Sequence, residues 1–427
     1  MNFNDTVIKR CFDAIFYGVG GAIGSRILMV LANIIVSRIL GVENFGQYSF
    51  INNTVNLFIT FSGLGLSATL VRYISANKDN KIIQGIYIKT LGGFCIALSF
   101  VFSAFLFILS SYISYYVCET NELSSYFRIV SVSIFFASMA NIEQSIMIGF
   151  EQFKVSSLIQ IIRCSLFLLL SLIMTLKWKL MGAIYAMSFT YILLYFISLM
   201  INTSYYKKEK IILKYSWDED IKKSIINFSI PSFGSSIFVV PVNWVCNAML
   251  TNSCGFMEIA YFTIAQQWMT YITYIPSQMG QLRPIYTDLL INKQINKLKR
   301  ITIKTTLITT GIALVVALVL SAFSDLILNL YGKGYLEGKA TFIVMLFTAV
   351  LYTMQVQTGF IIQAAGKMWL GFLINGIWGI SLLLFFKMFI AYNSLGYSIA
   401  YLNSYILVFL LQYYVYKKII SAYSINN

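Results

Sequence analysis

The chain has 427 residues, of which 58% are hydrophobic and only 11% charged, and it carries a formal net charge of +15. That balance excludes an ordinary soluble globular protein and makes the chain a polytopic membrane protein. It contains no histidine, so the usual titrating switch and the commonest metal ligand are both missing, and neither a metal nor a cofactor is expected.

Twelve apolar windows follow one another: 15–40, 47–71, 85–113, 129–149, 155–176, 180–202, 225–250, 256–282, 301–323, 340–365, 369–391 and 395–416. Each is long enough for a membrane helix, and none alternates in the ten-residue manner of an outer-membrane barrel strand. The polar start, Met1 to Asp13, is followed by no small-residue cleavage site, so the first window reads as a retained span rather than a signal peptide. The longest polar stretch lies between the sixth and seventh windows. The prediction is an all-α fold of twelve transmembrane helices in two six-helix bundles, 1–203 and 225–427, joined by a cytoplasmic linker over 204–224.

In the first window Arg26 stands where an arginine costs at least ~2.5–3.5 kcal/mol, so it must face water, a partner or a bound anion. Arg26, Asn33 and Ser37 fall on one helical face by their spacing, which points to a cavity that accepts something anionic. The second window carries a small and polar stripe of Asn52, Asn56, Thr60, Gly63 and Ser67. Lys89 lies in the third window, Glu143 in the fourth, and Arg163 in the fifth, one turn after Gln160. Glu143 is the main acid that could neutralise Arg26, and a static Arg26–Glu143 pair is the structural alternative to anion binding. With no histidine, Glu143 is also the best-placed carboxylate for any proton coupling.

The seventh window contains Pro231, Gly234 and Pro241. Proline inside a span removes a backbone hydrogen bond and permits a kink, so these three residues are the expected hinge. The eighth window repeats the polar stripe with Gln267, Thr270, Tyr274, Gln278 and Gln281. Stripes of this kind either glue helices together or line a wet lumen, and their density favours the lumen. Asn33, Asn56, Asn247, Gln267 and Tyr274 are the expected sugar-binding groups, with aromatic belts at the membrane surface as the alternative for the tyrosines. Arg72 and Arg283 close the second and eighth windows, and Lys367 follows the tenth. With Lys89, these read either as cavity cations or as cytoplasmic anchors.

If the N-terminus is cytoplasmic, 21 of the 31 lysines and arginines lie in cytoplasmic segments and 5 in outer ones. The positive-inside bias therefore predicts both termini in the cytoplasm, and it accounts for the basic excess without any nucleic acid. A shift of 214 residues overlays the two halves, setting Gly41–Phe50 on Gly255–Ile264, Gly20 on Gly234 and Asn33 on Asn247. An even number of helices per half makes such a repeat parallel. The same shift sets Val240 against Arg26, so the cationic face belongs to one half only. No P-loop, close carboxylate pair or large extramembrane domain is present, which argues against an ATP-driven pump, an enzyme or a polysaccharide polymerase.

Arg26 with the following Leu-Gly-Val-Glu-Asn-Phe-Gly-Gln-Tyr (Leu40–Tyr48), Leu70-Val-Arg-Tyr73 and Leu330-Tyr-Gly-Lys-Gly-Tyr335 resemble the Wzx-type O-antigen flippases. These form a polysaccharide transporter family within the multidrug, oligosaccharidyl-lipid and polysaccharide exporter superfamily. The resemblance implies a MATE-like pseudo-two-fold pair of bundles about a central cavity in the bacterial inner membrane. It also implies an undecaprenyl-pyrophosphate-linked oligosaccharide as cargo, and a polysaccharide polymerase and chain-length regulator as partners. Within it, the pyrophosphate would sit on Arg26 first, then on Arg163, Arg72, Arg283, Lys89 and Lys367. A multidrug antiporter, the alternative transporter, would normally place an acid in the first or seventh helix, and those helices offer none at mid-span.

Overall fold

The computed structural model describes residues 3–425, with side chains described from Gly20 to Tyr423 except at nine positions that include Ala22, Pro231, Ser232, Gln281, Pro284 and Met368. Every element among the described residues is helical, as expected where lipid offers the backbone no hydrogen-bond partners. In chain order the helices are α1 (Phe3–Gly63), α2 (Leu66–Ala76), α3 (Lys81–Tyr112), α4 (Leu123–Gly149), α5 (Phe153–Glu209), α6 (Glu219–Ser224), α7 (Ile230–Ile237) and α8 (Val240–Cys254). They continue with α9 (Phe256–Gln278), α10 (Arg283–Ile291), α11 (Ile295–Ala322), α12 (Ser324–Tyr331), α13 (Lys339–Ala364), α14 (Met368–Phe389) and α15 (Asn393–Ile425).

Among the described residues, 7 helical stretches are long and apolar enough to cross a membrane. Three of these, of 41, 57 and 55 residues, are about twice the ~20 residues a span needs. Each turns within itself, at Gly41, Lys179 and Asn393 respectively. The proline-containing stretches α7–α8 and α9 account for the two remaining windows, so each of the twelve windows falls on a helix.

The chain packs as two compact units. One comprises the residues up to Leu40 together with Phe50–Ser236; the other comprises Gly41–Ser49 together with Ile237 onward. In the first unit α4 lies against α2, α3 and α5, and Leu66, Leu70, Ile74, Leu91, Ile142 and Ile146 form its core. In the second, α13 lies against α9, α11 and α15, with Tyr286, Leu289, Leu298 and Ile361 in a core cluster. The division expected at 204–224 falls instead at 236/237, inside the seventh window.

The physical reason is that the 204–224 segment belongs to the first unit. Ile211 and Ile221 join its core, and the Trp217 ring meets Phe94. The Thr90 hydroxyl exchanges hydrogen bonds with the Ser216 backbone at 3.0 and 3.1 Å. A β-carbon on Gly85 would lie 2.0 Å from the Ile212 carbonyl oxygen, so only glycine lets the segment lie along α3. Asp218 caps α6 by accepting a hydrogen bond from the Ile221 amide at 3.0 Å. That bond, with a second from the Ser216 hydroxyl, holds the Asp218 carboxyl below its ordinary range.

The 214-residue repeat is written into the backbone. Gly41 (φ 75°, ψ 176°) and Gly255 (φ 87°, ψ 177°) adopt one conformation, a region open to glycine alone. Lys179 (φ 50°, ψ −126°) and Asn393 (φ 55°, ψ −134°) form a second such pair. Three residues further on, a β-carbon on Gly182 or Gly396 would lie 1.9 Å from the carbonyl oxygen of Met174 or Phe389. These glycines let each pair of helices close tightly at its turn. The second window breaks at Leu64–Gly65, both at positive φ, and the eighth gives way to a 3-10 turn beginning at Met279, the same repeat position.

Faces that meet no other helix are strongly apolar. On α11, Ile303, Leu307, Ile308, Ile312, Val315, Leu318 and Val319 are exposed, as are Phe100, Val101, Phe107 and Ile108 on α3. Water would penalise such patches; lipid does not.

Candidate substrate-binding surfaces

In the first unit α1 packs on α5 through glycines. A β-carbon on Gly21 would lie 2.5 Å from that of Ser157, and one on Gly24 would lie 3.8 Å from Ile161. The two helices therefore run parallel, and the register set by Gly24 and Ile161 brings Arg163 to the depth of Arg26. Both arginines are half-buried. Two guanidinium groups at one depth on neighbouring helices concentrate positive charge where dielectric screening is weak.

Glu143 does not supply the counter-charge. The Asn202 side-chain amide donates to the Glu143 carboxylate at 2.6 Å and to its backbone carbonyl at 2.9 Å. This clamp ties α4 to the far half of α5, and Glu143 bonds Asn202 rather than forming the Arg26–Glu143 pair that stands as the alternative to anion binding.

A cavity of about 230 Å³ lies at the Leu64–Gly65 break, walled by Thr60, Gly63, Gly65, Ser67, Ser138 and Asn141 with Ile59 and Phe233. Irregular backbone at membrane depth is tolerated where it lines a polar space, and three members of the second-window stripe form this wall. Asn56, from the same stripe, is exposed, and Asn33 is buried.

The second unit holds a larger cavity of about 400 Å³, bounded by α9, α13, α14 and α15. Its polar groups come chiefly from Gln355, Gln363, Asn375 and Gln412, and its rings from Tyr352, Phe360, Trp378 and Tyr405. The rings support one another: Tyr405 meets Tyr352 edge-on at 5.4 Å and Trp378 at 5.8 Å. Thr358 donates to the Gln412 side-chain oxygen at 3.0 Å, and Arg283 donates to that of Gln363 at 3.0 Å, which fixes both amides. No lysine, arginine, aspartate or glutamate is among the lining residues.

Of the remaining sequence-derived candidates, Arg283 borders the larger cavity through Gln363 and Phe360, and the others lie elsewhere. Arg72 is exposed with its guanidinium 4.5 Å from the centre of the Phe228 ring. Arg283 also donates to the Gly280 carbonyl at 2.8 Å, which closes the turn after α9. Lys89 and Lys367 are exposed, on α3 and at the α13–α14 turn. Asn247 is buried on α8, and Gln267 and Tyr274 are half-buried on α9; neither described cavity is lined by any of the three. The break in the seventh window falls between α7 and α8, at Phe238–Val239, with Pro241 in the first turn of α8. Gly234 lies on α7, and the Pro231 side chain lies outside the described residues.

Sequence reasoning missed the residues that line the larger cavity. Their signal was there: Gln355, Gly359 and Gln363 recur every four residues on α13, the same kind of stripe read in the second and eighth windows.

Residues 12–290 match the family described as "Polysaccharide biosynthesis protein". A relative, the EPS I polysaccharide export inner membrane protein EpsE of Ralstonia solanacearum, is 26% identical over 281 residues, or 62% of this chain. The matched region spans 60% of that relative's length. Among solved structures, an inward-facing multidrug resistance MATE family transporter of the MOP superfamily superposes with a TM-score of 0.80 at 17% identity, covering 93% of this chain and 95% of that one. The lipid II flippase MurJ in an inward closed conformation gives 0.72 at 16% identity, covering 96% and 90%. The chain therefore belongs to the polysaccharide biosynthesis protein family, as a multi-pass membrane protein with the all-helical, two-lobed fold of the MATE transporters.

Proposed function

We propose that this protein is a flippase that exports a lipid-linked polysaccharide precursor across the bacterial inner membrane by alternating access. Its cargo is an undecaprenyl-pyrophosphate-linked O-antigen or similar repeat unit. The observation that carries the reading is the shared depth of Arg26 and Arg163 in the first unit, a cationic site suited to a pyrophosphate. A bidentate guanidinium matches phosphate oxygens in geometry as well as charge. The export role of EpsE and the lipid substrate named for MurJ point the same way. So does the glutamate–asparagine clamp, which leaves Glu143 committed elsewhere.

Outward movement of a divalent head group is favoured by a negative-inside potential, worth ~2.3 kcal/mol per charge per 100 mV. Potential-driven export needs no nucleotide site. Glu143 is the carboxylate through which a proton could bias the cycle, and Glu143→Gln should then remove dependence on a pH gradient while leaving dependence on potential. Surviving pH dependence would make the Asn202 clamp purely structural. The lysine and arginine bias puts both termini in the cytoplasm; reporter fusions at Lys214 and Gly334 should report opposite faces of the membrane, and a same-side result would break that topology.

The deciding experiment follows a labelled undecaprenyl-pyrophosphate-linked glycan across proteoliposomes that contain the purified protein, beside a cationic drug. Translocation of the glycan alone is expected. Drug efflux without glycan movement would make the protein a multidrug antiporter, and chain elongation would make it a polymerase.

A further inference from the structure

We propose that a third cavity, of about 190 Å³ and in the first unit, binds the head group of a phospholipid that carries both a phosphate and a primary ammonium. The nature of the exported cargo plays no part in this inference. Three stretches of chain meet there: the α2–α3 turn, the α4–α5 turn and the end of α5. Charge in the wall is sorted between them. Lys78 and Lys81 come from the α2–α3 turn and the first residue of α3, whereas Glu151 comes from the α4–α5 turn and Glu209 from the last residue of α5. Cations on one side and carboxylates on the other make the wall a dipole.

Lys78 pairs with Glu151, and Lys81 with Glu209 at 3.1 Å. All four side chains are well exposed, between 29% and 48%. Ion pairs so open to solvent hold weakly, and they yield to a ligand that satisfies both partners. A lone anion would be repelled by the carboxylates, and a lone cation by the lysines. A zwitterion laid against the dipole meets neither penalty. Gln84 adds a fixed acceptor: the residue is 4% exposed, and its amide nitrogen donates to the Ile74 carbonyl at 3.0 Å. Its amide oxygen is left as an acceptor open to the cavity. A primary ammonium has three N–H groups, and two carboxylates with this oxygen can receive them all. The lysines are the matching donors for a phosphate.

Position makes the ligand a lipid. The three stretches follow the apolar windows that end at 71, 149 and 202, so the cavity lies at the edge of the hydrocarbon layer, on the face that the lysine bias assigns to the cytoplasm. Ile82, next to Lys81, and Ile212 and Leu213, next to Ile211, are exposed and give acyl chains an apolar surface beside the head group. The volume is below the ~300–1,000 Å³ usual for drug-sized ligands, which suits a small head group and excludes an oligosaccharide.

The test titrates the detergent-purified, full-length protein with dioleoyl phosphatidylethanolamine, phosphatidylcholine and phosphatidylglycerol, and with free phosphoethanolamine, and counts bound molecules by native mass spectrometry. The ethanolamine lipid should saturate one site at a concentration roughly threefold to tenfold below the other two lipids. The choline lipid has no N–H on its ammonium, and the glycerol lipid has no cation. Glu151→Gln should erase that preference. Exchange of the other pair, Lys81→Glu with Glu209→Lys, should do the same at an unchanged melting temperature, because it keeps an ion pair and breaks the dipole. Preference retained in both variants would place the lipid elsewhere and overturn the proposal. Equal binding of all three lipids, the behaviour of an unselective lipid shell, would also overturn it. Free phosphoethanolamine should bind only at far higher concentration, and binding as tight as that of the phospholipid would overturn the lipid assignment.

Discussion

The two units share a backbone plan and differ in the chemistry mounted on it. Gly41 and Gly255 hold the same glycine-only conformation, Lys179 and Asn393 the same strained turn, and Gly182 and Gly396 the same close approach to a carbonyl. The first unit then sets Arg26 and Arg163 at one depth, while the second surrounds its cavity with amides and aromatic rings. The positions that diverge are those with freedom to do so. Turns and helix crossings constrain the main chain, and cavity walls constrain only what the cavity must hold.

The strongest way to break this comparison is to move the charge. Arg26→Ala should abolish export while leaving the protein inserted, and Arg26→Lys should restore it only in part, because an ammonium lacks the bidentate fork. Adding Val240→Arg to Arg26→Ala, at the matching repeat position, should not restore export. Restoration in a translocation assay would mean that the two units are chemically interchangeable.

The backbone half of the comparison rests on glycine. Gly182→Ala and Gly396→Ala should each lower thermal stability by about 1–3 kcal/mol or more, since the new methyl group meets a carbonyl that cannot swing aside. Gly41→Ala and Gly255→Ala meet no atom within 4 Å, so they should cost only the conformational strain, about 1–3 kcal/mol each. Matched losses within each pair, read from melting temperatures in detergent, would sharpen the repeat. Unequal losses would make it a coincidence of form.

The smallest effect belongs to a feature the first unit has alone, the segment that runs along α3 to the Asp218 cap. Because the folded Asp218 carboxyl titrates below its unfolded value, its contribution is complete above the ordinary carboxylate range and fades as pH falls through the depressed value. Pepsin cleavage within 210–218 should therefore rise as the pH drops. Asp218→Asn should flatten that response, because asparagine caps a helix without titrating.

The twelve helices were legible because membrane spans announce themselves by length and apolarity, and the 214-residue register because Gly41 and Gly255 had to stay glycine. Lys179 and Asn393 were not legible as turning points, since neither residue type demands a positive φ and tertiary packing imposes it. The charged segment over 204–224 read as a free linker on composition, and Ile211, Trp217 and Ile221 dock it regardless. At the site, Arg26 stood out because a charge in an apolar run is rare. Gln355 and Trp378 did not, because amides and aromatics are common in membrane helices and only the fold shows which of them meet.

Gly41–Ser49 packs as part of the second unit, and this bears on how the protein is made. A β-carbon on Gly46 would lie 1.9 Å from the Phe256 carbonyl oxygen, the Phe45 ring meets Tyr335 edge-on at 6.1 Å, and the Tyr335 hydroxyl donates to the Gly41 carbonyl at 3.4 Å. During synthesis this strap leaves the ribosome with the first two helices, long before Phe256 or Tyr335 exists. It must wait, inserted and unseated, until the later helices arrive. Its docking is therefore among the last events of assembly, and a ribosome that stalls between the units leaves behind a nascent chain whose first half has yet to seat its own first turn.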